Sequence, residues 1–289
     1  MNAYLSGGGA QGAGGDRRAL PFLKGHGTGN DFVVLPDADG ALDLTPDLVR
    51  RLCDRRFGIG GDGVLRVVRA EHVPDAANSG AARWFMDYHN ADGSVAEMCG
   101  NGVRVYARFL VDAGWEQAGE FELATRGGIK GVHVPQKGDI RVDMGAPQLQ
   151  PDPQDARLGS ATYRGSAISM GNPHLVVRLD DAADLHGLDL TQDVTVAPEA
   201  FPTGVNLEFY VETEADGPGG LEMRVHERGV GETLSCGTGA CAVAAAAAGA
   251  PGTARPVRVP GGLLSVEWTP ETLFLSGPAE LVAEGVWYG

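Results

Sequence analysis

Met98-Cys-Gly-Asn-Gly102 and Ser235-Cys-Gly-Thr-Gly239 are the two stretches of this 289-residue chain on which its reading turns. Each follows an alternating run of strand type, Arg83-Trp-Phe-Met-Asp-Tyr88 before the first and Leu221-Glu-Met-Arg-Val-His226 before the second. In the second run Leu221, Met223 and Val225 share a face. Each cysteine also opens a helical pattern. Val103, Tyr106, Ala107, Leu110 and Val111 keep i, i+3, i+4 spacing until Gly114, and Ala240 to Ala248 is nearly all small residues up to Gly249 and Pro251. A helix that is apolar all round belongs in a core.

The two cysteine motifs lie 137 residues apart, and at that offset strand falls on strand and Asn90 falls on Glu227. A second pair, Gly29-Asn-Asp-Phe-Val-Val34 and Gly171-Asn-Pro-His-Leu-Val176, follows in the same order at an offset of 142. Two ordered pairs at nearly equal offsets indicate internal duplication. The expected architecture is two similar domains, with a small-molecule site in the cleft where they meet.

Composition narrows the chemistry. A formal charge of −15 repels phosphate backbones and anionic lipid, so nucleic-acid and membrane-surface partners are not expected. No apolar run approaches the roughly 18 residues of a spanning helix, and residues 1–20 lack the apolar block of a secretory signal; a cytoplasmic location is expected. Lysine occurs only at 24, 130 and 137, outside every motif, which argues against a Schiff-base cofactor. There is no C-x-x-C pair, and the seven histidines have no zinc spacing, so no metal is expected. Cys53 and Cys241 read as core residues. Gly58-Ile-Gly-Gly-Asp-Gly63 fits G-x-G-x-x-G, but the apparent strand, Val64-Leu-Arg-Val-Val68, follows it instead of preceding it, the wrong order for a dinucleotide turn.

A thiol at a helix N-terminus feels the positive end of the macrodipole, which is expected to lower the pKa of both Cys99 and Cys236. The amides of Gly100–Asn101 and Gly237–Thr238 would cradle a carboxylate. Two such helix starts acting on one α-carbon would let one cysteine remove a proton and the other return it from the opposite face, inverting the centre without a cofactor. The preorganised amides would stabilise the carbanion-like transition state.

Taken with Gly27-Thr-Gly-Asn-Asp-Phe32, Asn90-Ala-Asp-Gly93, Gly171-Asn-Pro-His174, Gly204-Val-Asn206 and Glu227-Arg-Gly-Val-Gly-Glu-Thr233, the cysteine motifs make the chain resemble the diaminopimelate epimerase family of cofactor-independent two-cysteine racemases, from about residue 22 onward. The resemblance implies reversible conversion of LL-2,6-diaminopimelate, a diamino dicarboxylate, to the meso form in lysine and peptidoglycan precursor synthesis. It implies Cys236 as proton acceptor and Cys99 as donor in that direction, with His174 and Glu227 assisting. Asn30, Asn90, Asn172, Asn206, Glu227 and Arg228 would contact substrate, alongside Gly100, Asn101, Gly237 and Thr238. The implied fold is α/β, two pseudo-symmetric domains, each a barrel-like sheet around a central helix. The domains would be 21–145, with 277–289 returning to it, and 146–276, behind a Gly/Ala-rich extension over 1–20; monomer and homodimer both stay open. Two departures stand out. Some members carry Gln where this chain has Gly63, and the extension has no counterpart.

Three other readings compete. A proline or hydroxyproline racemase of the same superfamily would favour His at the position of Asn101 and would not use the extra Asn and Arg residues. Cys–His acyl transfer gives no reason for a second, symmetry-related cysteine. A non-catalytic binding duplicate would not need both motifs intact.

Overall fold

The computed structural model describes residues 19–76, 80–252 and 254–289. Most of the expected 1–20 extension lies outside the described residues; Ala19 and Leu20 already belong to the first strand. The chain forms two compact units. Among the described residues the first comprises Ala19–Gly27, Asp31–Ile140 and Ala279–Gly289; the second comprises Thr28–Asn30 and Arg141–Pro278.

The first unit contains β1 (Ala19–Gly27), β2 (Asn30–Pro36), α1 (Pro46–Cys53), β3 (Gly63–Arg69), β4 (Trp84–Asn90), α2 (Gly100–Asp112), β5 (Gly119–Thr125) and β6 (Gly128–Val134). The second contains nearly all of β7 (Ile140–Gly145), then β8 (Gln148–Leu149), β9 (Gln154–Leu158), β10 (Ala161–Ser169), β11 (Pro173–Arg178), α3 (Ala182–Gly187), β12 (Val194–Val196) and β13 (Asn206–Thr213). It continues with β14 (Gly220–Glu227), β15 (Gly231–Thr233), α4 (Gly237–Ala248), β16 (Arg255–Val259), β17 (Gly262–Trp268) and β18 (Leu273–Gly277). The chain then returns to the first unit as β19 (Glu280–Tyr288), antiparallel to β1.

The duplication is visible in the pairing. In the first unit β2 runs parallel to β3, β3 antiparallel to β4, β4 parallel to β5 and β5 antiparallel to β6. In the second, β11 runs parallel to β13, β13 antiparallel to β14, β14 parallel to β16 and β16 antiparallel to β17. The crossover helix occupies the same slot each time, α2 between β4 and β5 and α4 between β14 and β16.

Both helices lie inside their sheets. Helix α2 packs against β1, β3, β4, β6 and β19, and α4 against β10, β11, β13, β14, β16, β17 and β18. Every residue from Gly100 to Leu110 is buried, as is every residue from Gly237 to Ala245. The Ala-rich α4 presents no long side chains, so strands can approach it from every side. Its left-handed cap is Gly249, at φ +69°, a conformation open to glycine without a Cβ penalty.

The β4 pattern has a physical twist. Its alternation suggests one wet face, yet Trp84–His89 is buried on both. The polar face is covered by ion pairing: Asp87 accepts from Arg126 Nη2 at 2.7 Å, His89 Nε2 lies 2.9 Å away and Arg66 Nη1 3.3 Å.

The Gly58–Gly63 loop spends its amides on the end of α1. Gly58 N–H donates to Asp54 O, Ile59 and Gly60 N–H to Leu52 O, and Gly61 N–H to Cys53 O. A Cβ on Gly58 would lie 2.0 Å from Arg51 O. These amides are committed to carbonyls, so the loop is a tight structural turn.

Candidate active site

Cys99 caps α2 in extended conformation (φ −142°, ψ 120°), and its Sγ accepts from Gly102 N–H at 3.4 Å. The first intrahelical donor is Val103 N–H, to Cys99 O. The Gly100 and Asn101 amides precede it, in the first turn, ahead of the i→i−4 ladder. The apolar side chains of Leu65 and Phe32 pack against this turn. A Cβ on Gly102 would meet Leu65 Cδ2 at 3.3 Å and Phe32 Cζ at 3.6 Å. Arg104, fully buried, donates to Asn101 Oδ1 at 2.9 Å and to Gly100 O at 3.3 Å. Sequence reading passed over Arg104; an arginine inside an otherwise apolar helix face was the available signal. Asn90 ends β4, where its Nδ2 donates to Ser94 Oγ at 3.0 Å.

Cys236 caps α4 in the same extended conformation (φ −121°, ψ 113°), with Ala240 N–H as first intrahelical donor. Its surroundings are polar. Cys236 Sγ lies 3.5 Å from Thr238 Oγ1, Thr238 Oγ1 accepts from Asn172 Nδ2 at 3.3 Å, and Asn172 Oδ1 is 3.0 Å from His174 Nε2. His174 Nδ1 is 2.6 Å from Glu208 Oε1, with both side chains fully buried. Glu208 was not singled out from the sequence. The signal was a carboxylate within an otherwise apolar, inward-facing strand, Leu207-Glu-Phe-Tyr-Val211.

The remaining second-unit residues stand at the ends of their strands. Asn206 donates to Pro173 O at 3.2 Å and accepts the Arg228 amide at 2.9 Å, tying β11 to the turn after β14. Glu227 Oε1 accepts from Thr233 Oγ1. The exposed Arg228 donates through Nη1 to Thr203 O at 3.1 Å and Thr203 Oγ1 at 2.8 Å. Asn30 opens β2 and groups with the second unit, next to Thr28, whose Oγ1 is 2.6 Å from Ser235 Oγ. The second unit therefore links Asn172, His174, Thr238 and Cys236 in one network, with Asn206 bound to Arg228. The first unit places Cys99, Gly100 and Asn101 at one helix start. Among the described residues no three His, Cys, Asp or Glu side chains converge on a metal position.

The electrostatics correct one expectation. Burial pushes the Cys236 thiol well above the usual cysteine range, and the Glu227 and Glu208 carboxylates push it further; the Thr238 hydroxyl acts the other way. The helix N-terminus alone does not make Cys236 acidic, because desolvation and two nearby anions outweigh the dipole. Cys53, also buried, is pushed up to about 11. All four cysteines are free thiols.

Residues 22–150 and 166–282 match the diaminopimelate epimerase family. The chain is 50% identical to a diaminopimelate epimerase of Streptomyces coelicolor over 279 residues, covering 92% of this chain and 94% of that protein. It is 51% identical to one of Thermobifida fusca over 272 residues, covering 92% and 97%. Among solved structures, a phenazine biosynthesis protein of the PhzF family from Bacillus anthracis superposes with a TM-score of 0.68 at 15% identity, covering 93% of this chain and 99% of that one. A hydroxyproline epimerase from Agrobacterium vitis gives 0.62 at 15%, covering 94% and 93%. At such identities the structural likeness speaks for the fold alone. No described helix is long and apolar enough to cross a membrane.

Proposed function

Because this chain belongs to the diaminopimelate epimerase family, we propose that it interconverts LL- and meso-2,6-diaminopimelate with Cys99 and Cys236 as the acid/base pair. It is an isomerase, and its substrate is a small diamino dicarboxylate. One observation carries the residue assignment: each unit sets one cysteine at the N-cap of its enclosed helix, directly before the first-turn amides.

In the LL-to-meso direction Cys236 takes the α-proton and Cys99 supplies one to the opposite face; the roles exchange in reverse. The substrate α-carboxylate is held by the Gly100–Asn101 and Gly237–Thr238 amides, which stabilise the negative charge growing on the α-carbon and carboxylate. Glu227, whose anion raises the Cys236 thiol in the free protein, faces the substrate ammonium. That cation offsets the carboxylate, so substrate binding itself brings the thiol toward its reactive, deprotonated form. His174 supports Cys236 through Asn172 and Thr238, while Asn30, Asn90, Asn206 and Arg228 hold the non-reacting amino acid end. The duplicated halves are the two units, divided at Ile140 and Arg141 with Ala279–Gly289 returning to the first, and the reaction belongs to lysine and peptidoglycan precursor synthesis in the cytoplasm.

Relatives at 45–51% identity all carry the diaminopimelate name, which leaves the proline and acyl-transfer readings without support. Incubation with LL-diaminopimelate in D₂O tests the proposal. Meso product carrying deuterium at one α-carbon is expected; exchange of proline without exchange of diaminopimelate would reverse it.

A further inference from the structure

The two units share a fold, and behind Cys236 a chain of hydrogen bonds reaches a buried carboxylate. Val34 pairs with Leu65 in the first unit, and Val176 pairs with Glu208 in the second. Val34 and Val176 end the duplicated Gly29–Val34 and Gly171–Val176 segments, so Glu208 stands where the first unit has a leucine. By the same register His174 stands where the first unit has Phe32.

From Glu208 the hydrogen bonds run in one direction. Glu208 Oε1 and His174 Nδ1 share a proton across 2.6 Å. His174 Nε2–H then donates to Asn172 Oδ1, Asn172 Nδ2–H donates to Thr238 Oγ1, and the Thr238 hydroxyl proton is left to point at Cys236 Sγ. Glu208 Oε2 is buried without a hydrogen-bond partner. An ionised carboxylate with a bare buried oxygen is costly, and burial accordingly pushes the Glu208 carboxyl upward against the pull of His174. With Asn172 Oδ1 as its acceptor, Nε2 carries a proton, and Glu208 Oε1 opposite Nδ1 holds the ring in that orientation.

We propose that Glu208 is a positioning residue for Cys236, holding this chain of hydrogen bonds in the direction that leaves the Thr238 hydroxyl donating to the sulfur. Without Glu208, His174 is free to carry its proton on Nδ1. Asn172 then turns its amide to donate to Nε2, its oxygen captures the Thr238 hydroxyl, and the sulfur loses its donor. The proposal rests on the assignment of Cys236 above. The charged or titratable groups facing the sulfur are Glu227 from β14, Glu208 from β13 and His174, one link further back, from β11.

The test compares Glu208→Leu with Glu208→Gln in substrate-free protein, following modification by methyl methanethiosulfonate against pH and mapping each cysteine by mass spectrometry. Because no turnover is needed, failure here is distinguishable from failure of the epimerase assignment, which the D₂O experiment decides. Both variants remove the Glu208 carboxylate that raises the thiol, so the two are compared with each other. Leucine is expected to leave the Cys236 profile about one pH unit above that of glutamine. At neutral pH the Leu variant is modified about threefold more slowly than the Gln variant, because the greater nucleophilicity of a more basic thiolate offsets part of the tenfold loss in its amount. Glutamine keeps an amide donor opposite Nδ1, and Cys99 is unchanged in both. A Leu variant modified as fast as the Gln variant, or faster, overturns the proposal. If Glu208→Leu does not fold, Thr238→Val removes the last link directly and must show the same slowing; a wild-type profile there also overturns it.

Discussion

Phe32 and His174 hold the same position in the two halves of the chain: Phe32 pairs with Gly63 across β2 and β3, and His174 with Asn206 across β11 and β13. The backbone around the two is alike and the side chains differ in kind. Two units with one fold thus differ at this position, a buried aromatic ring in the first and a buried imidazole in the second. The opposite proton movements proposed for the two cysteines give the two halves a reason to be chemically unequal.

Cys99→Ala and Cys236→Ala are each expected to abolish epimerisation, since inversion needs a proton-transfer group on both faces. Cys53→Ala and Cys241→Ala should keep turnover and lose about 1 kcal/mol of stability through packing. Product formation and thermal melts of the four variants check this. Near-normal turnover by either of the first two would end the two-base reading.

The cysteines should differ in reactivity in the free protein. Cys99 is partly exposed, whereas Cys236 and Cys53 are buried and pushed up. A small alkylating reagent at pH 8 should modify Cys99 before either Cys236 or Cys53. The Cys236 rate should rise about tenfold per pH unit, because only the scarce thiolate reacts. Time-resolved peptide mapping reads the order, and Cys236 reacting first would contradict the electrostatics.

Arg228→Ala should lower kcat/KM for diaminopimelate about tenfold to a hundredfold, the loss expected for a charge-assisted bond to a carboxylate. The melting temperature should barely move, because the Arg228 partners Thr203 O and Oγ1 lie at the surface. Steady-state kinetics in both directions measure it; an unchanged kcat/KM would remove Arg228 from the substrate.

Asp87→Asn should destabilise the first unit without touching the chemistry. Burial opposes its charge, but hydrogen bonds and charges from His89 and Arg126 hold it down at about 2. Removing one partner of such a buried network typically costs about 3–5 kcal/mol. The Asp87 contribution is fully present above the unfolded carboxyl pKa near 3.9 and is lost as pH falls through about 2. Denaturant melts at pH 7 and pH 2.5 should therefore show a smaller gap between variant and wild type at the lower pH.

Gly63→Gln, which installs the side chain some family members carry, should cost stability and gain no activity. A Cβ there would lie 2.5 Å from His89 O and 2.7 Å from Tyr88 Cε2, and the first of these is backbone. A drop in melting temperature with no rise in kcat/KM is expected.

Much of the site was legible because its residues sit in short motifs at element ends, where glycine and asparagine are conspicuous. The duplication was legible from two offsets, and the strand pairing repeats in the same order. Glu208 and Arg104 were not legible, because each lies inside a regular element and acquires its partner only when a neighbouring strand or helix turn is in place. The charge state of Cys236 was misread for a related reason. The helix dipole is local to the motif, whereas burial and the two carboxylates come from the surrounding sheet. The β1–β2 turn shows the same limit: a linear reading runs residues 21–145 together, while Thr28–Asn30 packs with the second unit through Ser235.

The pairing of β1 with β19 bears on how the protein is made. A ribosome delivers β1 early and β19 some 260 residues later, so the first unit waits with an open edge while nearly all of the second is synthesised. The second unit has its own strands in hand by Gly277 and needs from the early chain only the short Thr28–Asn30 segment. Order of synthesis and order of completion are thus reversed: the half begun first is sealed last. Until that seal forms, the edge of β1 that β19 later covers is an open template of the kind chaperones shield.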